Sequence, residues 1–235
     1  MQTIAIISQK GGAGKTTLAV HLAVASAEAG LNTAIIDLDP QASSANWGDR
    51  RSAPLPVVLS AHSSRLAQEM DRVRDMGGQR LYLDTAPHSD AVALAAARAA
   101  EFVIIPCKPN ILDIEAAGTT IELIKTTSTP LFVVLNGVAP FGSEADEAEA
   151  AIREMYGVSV CPARLTTRVA FARSLAFGQV AQEFEPDGKA RQEVEALHTF
   201  MSEGLNNRTP SHIQPQIHEV KHDTAEQVRS STEIT

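Results

Sequence analysis

The chain has 235 residues, 44% of them hydrophobic and only 4% aromatic, so it can build one α/β-sized core from aliphatic and alanine side chains. A formal charge of −8 excludes a uniformly basic nucleic-acid surface, and any contact with DNA has to come from a local patch. No apolar run approaches the roughly 20 residues of a membrane span, and no signal segment precedes the first apolar run, so a cytoplasmic protein is expected.

The first apolar run, Ile4-Ala5-Ile6-Ile7, reads as a strand buried on both faces. It leads into Lys10-Gly11-Gly12-Ala13-Gly14-Lys15-Thr16-Thr17, and an Ala/Leu-rich helical pattern follows, with Leu18, Leu22, Ala25 and Ala29 at helical spacing and Gly30 at its end. Strand, glycine turn and helix are the context of a phosphate-binding loop. Glycines let successive backbone N–H groups turn inward toward an anion, and the helix N-terminus adds to that field. Lys15 is expected to reach the outer phosphates and the Thr16 hydroxyl to sit on Mg²⁺. The slot where the standard loop opens with glycine holds Gln9, and a second lysine, Lys10, stands before the glycine pair.

Lys-Gly-Gly-x-Gly-Lys-Thr-Thr resembles the deviant P-loop of the ParA/MinD family of ATPases, and Gln before the first lysine is similar to its short partition-type members. The resemblance implies a three-layer α/β P-loop NTPase fold with a mostly parallel central sheet flanked by helices. It implies ATP and Mg²⁺ as cofactors and slow hydrolysis in the absence of a partner. It also gives Lys10 the role of crossing a dimer interface to the partner's nucleotide. No helix-turn-helix region precedes the loop, so an operator-specific repressor is not expected.

The next run, Thr33-Ala34-Ile35-Ile36-Asp37-Leu38-Asp39-Pro40-Gln41, reads as a second buried strand ending in two acids, which at a parallel strand's C-terminal edge face the ligand crevice. It resembles the family's Asp-x-Asp-Pro-Gln switch. That implies Asp39 positions the attacking water and supports the metal shell, while Asp37 reads as structural or as a support for the groups that hold the metal. Trp47, the one tryptophan, reads as packing. Residues 50–56 read as a surface connection, Val57-Val58-Leu59 as a short strand, and 62–76 as an amphipathic helix that His62 helps to start. Arg80-Leu81-Tyr82-Leu83-Asp84 is a third buried strand whose terminal acid fits Walker B, with Asp84 holding Mg²⁺ through a water. Asp84-Thr85-Ala86-Pro87, which begins with that acid, resembles the second switch.

Residues 91–100 read as a small-residue helix, and Phe102-Val103-Ile104-Ile105-Pro106 as a fourth strand. Asp113 lies in a segment that resembles a loop near the family's dimer face, and it equally suits a helix N-cap. Leu131-Phe132-Val133-Val134-Leu135 reads as a fifth strand ending in Asn136-Gly137. Resemblance implies adenine contact for Asn136, and a plain turn accounts for the pair equally well. No Asn-Lys-x-Asp guanine motif occurs, which favours ATP. Ser143-Glu144-Ala145-Asp146 reads as a capped helix start, and Val158-Ser159-Val160 as the last strand. Cys107 and Cys161 each stand beside a proline at the end of an apolar run, as buried thiols rather than cluster ligands.

Arg164-Leu165-Thr166-Thr167-Arg168 is expected to open a helix. Between Arg164 and Arg191 stand five basic residues, Arg164, Arg168, Arg173, Lys189 and Arg191, and three acids, an ordinary solvated face by composition. Resemblance to partition ATPases implies that these five supply part of a sequence-independent DNA patch in the ATP dimer. The expected organisation is an ATPase domain over residues 1–205 and a disordered tail over 206–235, the tail without aromatics and with His212, His218 and His222 scattered in it.

The function implied is DNA partition: a homodimer formed on ATP, non-specific DNA, a centromere-binding ParB-like adaptor that stimulates hydrolysis, nucleoid association and no stable membrane attachment. The alternatives are a membrane-cycling MinD-like factor, whose basic amphipathic end this tail lacks, and a metabolic ATP-dependent ligase of similar fold.

Overall fold

The computed structural model describes residues 1–206. In chain order the elements are β1 (Gln2–Ile6), α1 (Lys15–Glu28), β2 (Thr33–Asp37), α2 (Ser43–Arg50), β3 (Val57–Ser60), α3 (Leu66–Asp75), β4 (Arg80–Asp84), α4 (Asp90–Ala99) and β5 (Phe102–Cys107). There follow α5 (Ile111–Lys125), β6 (Leu131–Val138), α6 (Glu144–Tyr156), β7 (Ser159–Val160), β8 (Leu165–Thr166), α7 (Val169–Ala176), α8 (Ala181–Phe184) and α9 (Lys189–Asn206). A single 3-10 turn at Ser63–Arg65 introduces α3, and the His62 ring caps it by accepting from the Ser64 N–H.

The sheet runs β3-β2-β4-β1-β5-β6-β7, with every pair parallel. The chain reads as continuous apolar runs because both faces of these strands are covered. Ile4 and Ile6 turn to one face with Ile35, Tyr82 and Ile104, under α1 and α9. Ala5 and Ile7 turn to the other with Ile36, Leu83 and Ile105, under α4, α5 and α6. Each such isoleucine or leucine removed from water contributes about 1.5–3 kcal/mol before entropy is charged. Helix α1 is buried on almost every side rather than along one stripe, since α9 covers its outer face; Ala29, expected inward, lies past its end and is exposed. Gly30, at φ +86°, supplies the left-handed residue that ends it.

Two expectations give way. Residues 164–168 do not open a helix: Leu165–Thr166 is the short strand β8, which pairs with the C-terminal half of β6 beyond the two residues that pair with β7. Helix α7 starts only at Val169. Ser143 makes no side-chain cap to α6; it has helical backbone angles and its hydroxyl donates to Glu147 Oε1 at 2.6 Å. Asn206, assigned to the tail, closes α9, and the rest of the expected tail lies outside the described residues.

Candidate functional site

The C-terminal ends of β1, β2 and β4 bring the loop and the acids together. Gly12 and Gly14 take φ of +73° and +103°, angles that a side chain resists. Gly14 also has no room for one, since a Cβ there would stand 1.9 Å from Asn136 Nδ2. That amide donates to the Ala13 carbonyl at 2.8 Å, so the end of β6 braces the loop from beneath. This is a contact that neither the adenine reading nor the turn reading of Asn136 contains.

Lys15 begins α1, is 7% exposed, and donates from Nζ to the Lys10 carbonyl at 3.2 Å. Burial lowers its pKa, while the charges of Asp84 and Asp39 work against that. Lys10 Nζ reaches Asp113 Oδ2 at 2.8 Å. Asp113 is therefore not the cap of α5. Asn110 is, accepting from the Asp113 N–H at 3.0 Å.

Asp84 is fully buried at the end of β4. Its Oδ2 accepts from Thr16 Oγ1 at 2.7 Å and from Ser44 Oγ at 2.6 Å, and its Oδ1 has no partner among the described residues. Burial pushes its carboxyl up to about 7; the Ser44 hydrogen bond opposes this, the charge of Asp37 adds to it, and Thr16 and Lys15 oppose it. Asp37, also fully buried, accepts from the N–H groups of Asp39 and Ala45, both at 3.0 Å. Burial raises its pKa, against those backbone bonds. Asp39 lies outside the core, with Oδ1 accepting from the Gln41 N–H at 2.9 Å. A carboxylate with one oxygen on the Thr16 hydroxyl and the other orphaned, at a strand end next to a loop whose Gly12 and Gly14 take positive φ, is a donor set that fits Mg²⁺ on a nucleotide's phosphates.

The basic residues of the last third are only partly assembled. Arg164, Arg168 and Lys189 line one shallow depression of about 250 Å³ with Gln192 and Glu193. Arg164 is already paired with Asp146 (2.7 Å) and Glu149 (2.8 Å), and Arg168 with Glu193 (2.6 Å). Arg191, with Glu195 (2.6 Å) and Glu28 (3.8 Å), lies outside that depression. Lys189 and Arg173 have no ion pair among the described residues; the Arg173 guanidinium lies 5.9 Å from the Phe184 ring centre.

Trp47 is packed as expected, 1% exposed, its indole N–H donating to the Gln179 carbonyl at 3.0 Å. Cys107 and Cys161 are free and buried, and burial pushes both thiols up to about 12. Sequence reasoning missed Ser44 and the ion-pair role of Asp113. Ser44 had one faint signal, a serine pair at a helix start directly after the switch acids.

A parallel sheet with a glycine-turned loop after its first strand, a lysine opening α1, and a threonine bonded to the acid that ends a neighbouring strand defines a P-loop nucleotide hydrolase. The chain belongs to the family described as the CobQ/CobB/MinD/ParA nucleotide binding domain, whose model matches residues 4–181, and is an ATPase of the ParA/MinD type within it. The maintenance of carboxysome distribution protein A of Gloeobacter kilaueensis is 32% identical, over 87% of this chain and 94% of its own length. The chromosome-partitioning ATPase Soj of Thermus thermophilus is 25% identical, over 79% of this chain and 89% of its own. Among solved structures, a Cyanothece McdA variant in complex with ATP superposes with a TM-score of 0.68 at 18% identity, covering 88% of this chain and 96% of that one.

Proposed function

We propose that this protein positions cargo on DNA through an ATP-controlled homodimer. The observation that carries the reading is the arrangement of the two loop lysines. Lys15 is turned into the loop, while Lys10 stands at the rim with its ammonium group held by Asp113. A lysine at the rim is free to leave one carboxylate for the phosphates of a second copy, where its charge offsets theirs. Backbone N–H groups of Gly11, Gly12, Ala13 and Gly14 cradle the phosphates, with Lys15, Thr16 and Thr17 completing the cofactor contacts and Asn136 holding the loop in shape. Thr16 and Asp84 would hold Mg²⁺, and Asp39 would support that site and order the attacking water. When bound, Mg²⁺ neutralises charge on the β- and γ-phosphates. ATP-bound dimers hold DNA, hydrolysis releases it, and an adaptor bound to the cargo sets the rate.

The ion pairs support an order among the proposed DNA contacts. Lys189 and Arg173 are free to meet phosphate, whereas Arg164, Arg168 and Arg191 must first exchange carboxylate partners. The proposed site of action is the nucleoid in the cytoplasm, with an ATPase domain over residues 1–205, a tail beyond it and no stable membrane attachment. The adaptor on this reading is a ParB-like centromere-binding protein, and the cargo a plasmid or chromosome. A second reading of the cargo, a protein-shelled compartment, is supported by the 32% identity to a carboxysome-distribution protein.

The test is DNA retention at low salt with ATP, with ADP, and for Lys15→Ala with ATP. Retention with ATP alone supports the proposal, and equal retention in all three refutes the nucleotide switch. An Arg168→Glu protein that still coats DNA removes Arg168 from the patch.

A further inference from the structure

Helix α2 starts in an unusual way. Ala42, before its first residue, adopts a left-handed φ of +52° and gives no side-chain cap. Its first turn is held from outside, by the two acids that end β2 and β4. Asp37 Oδ2 accepts from the Ala45 N–H at 3.0 Å, and Asp84 Oδ2 accepts from the Ser44 hydroxyl at 2.6 Å. Ser44 is fully buried, so its hydroxyl has no water to fall back on. The Thr16 hydroxyl shares the same oxygen at 2.7 Å. Two hydroxyls on Oδ2 fix the plane of the Asp84 carboxylate and leave Oδ1 as the oxygen without a partner among the described residues.

We infer that Ser44 is a positioning residue for Asp84, and that α2 is the element through which occupation of the metal site is felt. The inference rests on the nucleotide reading of the loop. Ser44 touches neither phosphate nor metal. It acts by fixing the carboxylate that would hold the metal, and partners that orient a metal-holding group in this way typically change metal affinity by about 10–100-fold when removed. Any shift of Asp84 as the metal enters is passed to Ser44 and along α2. The far part of the helix is anchored as well: Trp47 donates to the Gln179 carbonyl at 3.0 Å, and the Arg51 guanidinium lies 5.0 Å from the Trp47 ring centre and pairs with Glu183 at 2.7 Å. Trp47 is the only tryptophan in the chain and sits three residues after Ser44, so α2 carries its own fluorescent reporter.

The test uses the full chain loaded with ADP and titrated with Mg²⁺, read by Trp47 fluorescence and independently by competition with a Mg²⁺ indicator dye. Ser44→Ala is expected to weaken Mg²⁺ binding about tenfold, to shrink the Trp47 response, and to leave ADP affinity without Mg²⁺ unchanged. Ser44→Thr is expected to restore all but a small part of the loss. A merely structural serine would move the far-ultraviolet dichroism and the metal-free ADP affinity instead, and that outcome overturns the assignment. Superimposable Mg²⁺ titrations for wild type and Ser44→Ala overturn it too, with the nucleotide reading intact. A wild type that takes up no Mg²⁺ with ADP overturns that reading and this inference together.

Discussion

His21 offers a quantitative test of how the P-loop helix is anchored. It is fully buried one turn below Thr17; its Nδ1–H donates to the Thr17 carbonyl at 2.7 Å and its Nε2 accepts from the Ala181 N–H at 3.0 Å. Both nitrogens are therefore used by the neutral ring, and a second proton on Nε2 would face a donor. Burial lowers the pKa from 6.5 to about 4, the Thr17 bond and the charge of Glu183 opposing it only in part. The unfolded chain takes up a proton below about pH 6.5 and the folded chain does not until about pH 4. Hence the stability contribution is complete above pH 6.5 and is lost as the pH falls toward 4. From these two values the loss is about 2 kcal/mol at pH 5 and approaches ~3 kcal/mol at lower pH. Other groups titrate in the same range, Asp84 in the opposite sense, so the informative quantity is a difference between two proteins. Urea unfolding of wild type and His21→Gln, followed by Trp47 emission at pH 8 and pH 5, isolates it. The wild-type advantage is expected to shrink by about 2 kcal/mol between the two pH values. Parallel losses in the two proteins would refute the burial argument for His21.

Gly14→Ala meets both a φ of +103° and an Asn136 amide 1.9 Å from the new Cβ. Calorimetric titration with Mg·ADP is expected to show at least about a tenfold loss of affinity, since the loop is displaced where it meets phosphate. Adding Asn136→Ala removes the contact but not the backbone strain, so recovery should be partial; full recovery would show that strain is immaterial. Arg80 is 4% exposed, with Nη2 donating to Gln2 Oε1 at 2.8 Å, while Nε and Nη1 have no hydrogen-bond partner among the described residues. A buried charge so poorly compensated adds little, and Arg80→Met should leave the thermal midpoint unchanged or raise it. A fall of more than about 4 °C, equivalent to roughly 1 kcal/mol or more in a chain of this size, would contradict that.

The parts of the site that could be read from the sequence are those made within one strand–turn–helix unit. Ile4–Ile7 with the glycine loop, and Asp37, Asp39 and Asp84 at the ends of apolar runs, announce themselves because a doubly covered parallel strand is apolar throughout until it reaches the ligand edge. What stayed hidden are contacts between distant segments. Ser44 meets Asp84 across 40 residues and Lys10 meets Asp113 across 103. The basic set shows the same limit: Arg164 looked available because its partners, Asp146 and Glu149, lie on α6, and Arg191 because one of its partners, Glu28, closes α1. Residues 164–168 were misjudged because two residues of strand carry no period long enough to tell from a helix start.

Whether ATP joins two copies of the chain is read by sedimentation velocity in saturating Mg²⁺ and a non-hydrolysable ATP analogue. The wild-type chain is expected to double in mass while Lys10→Ala, still binding the analogue, remains a single chain. A wild type that stays monomeric when saturated would contradict the account.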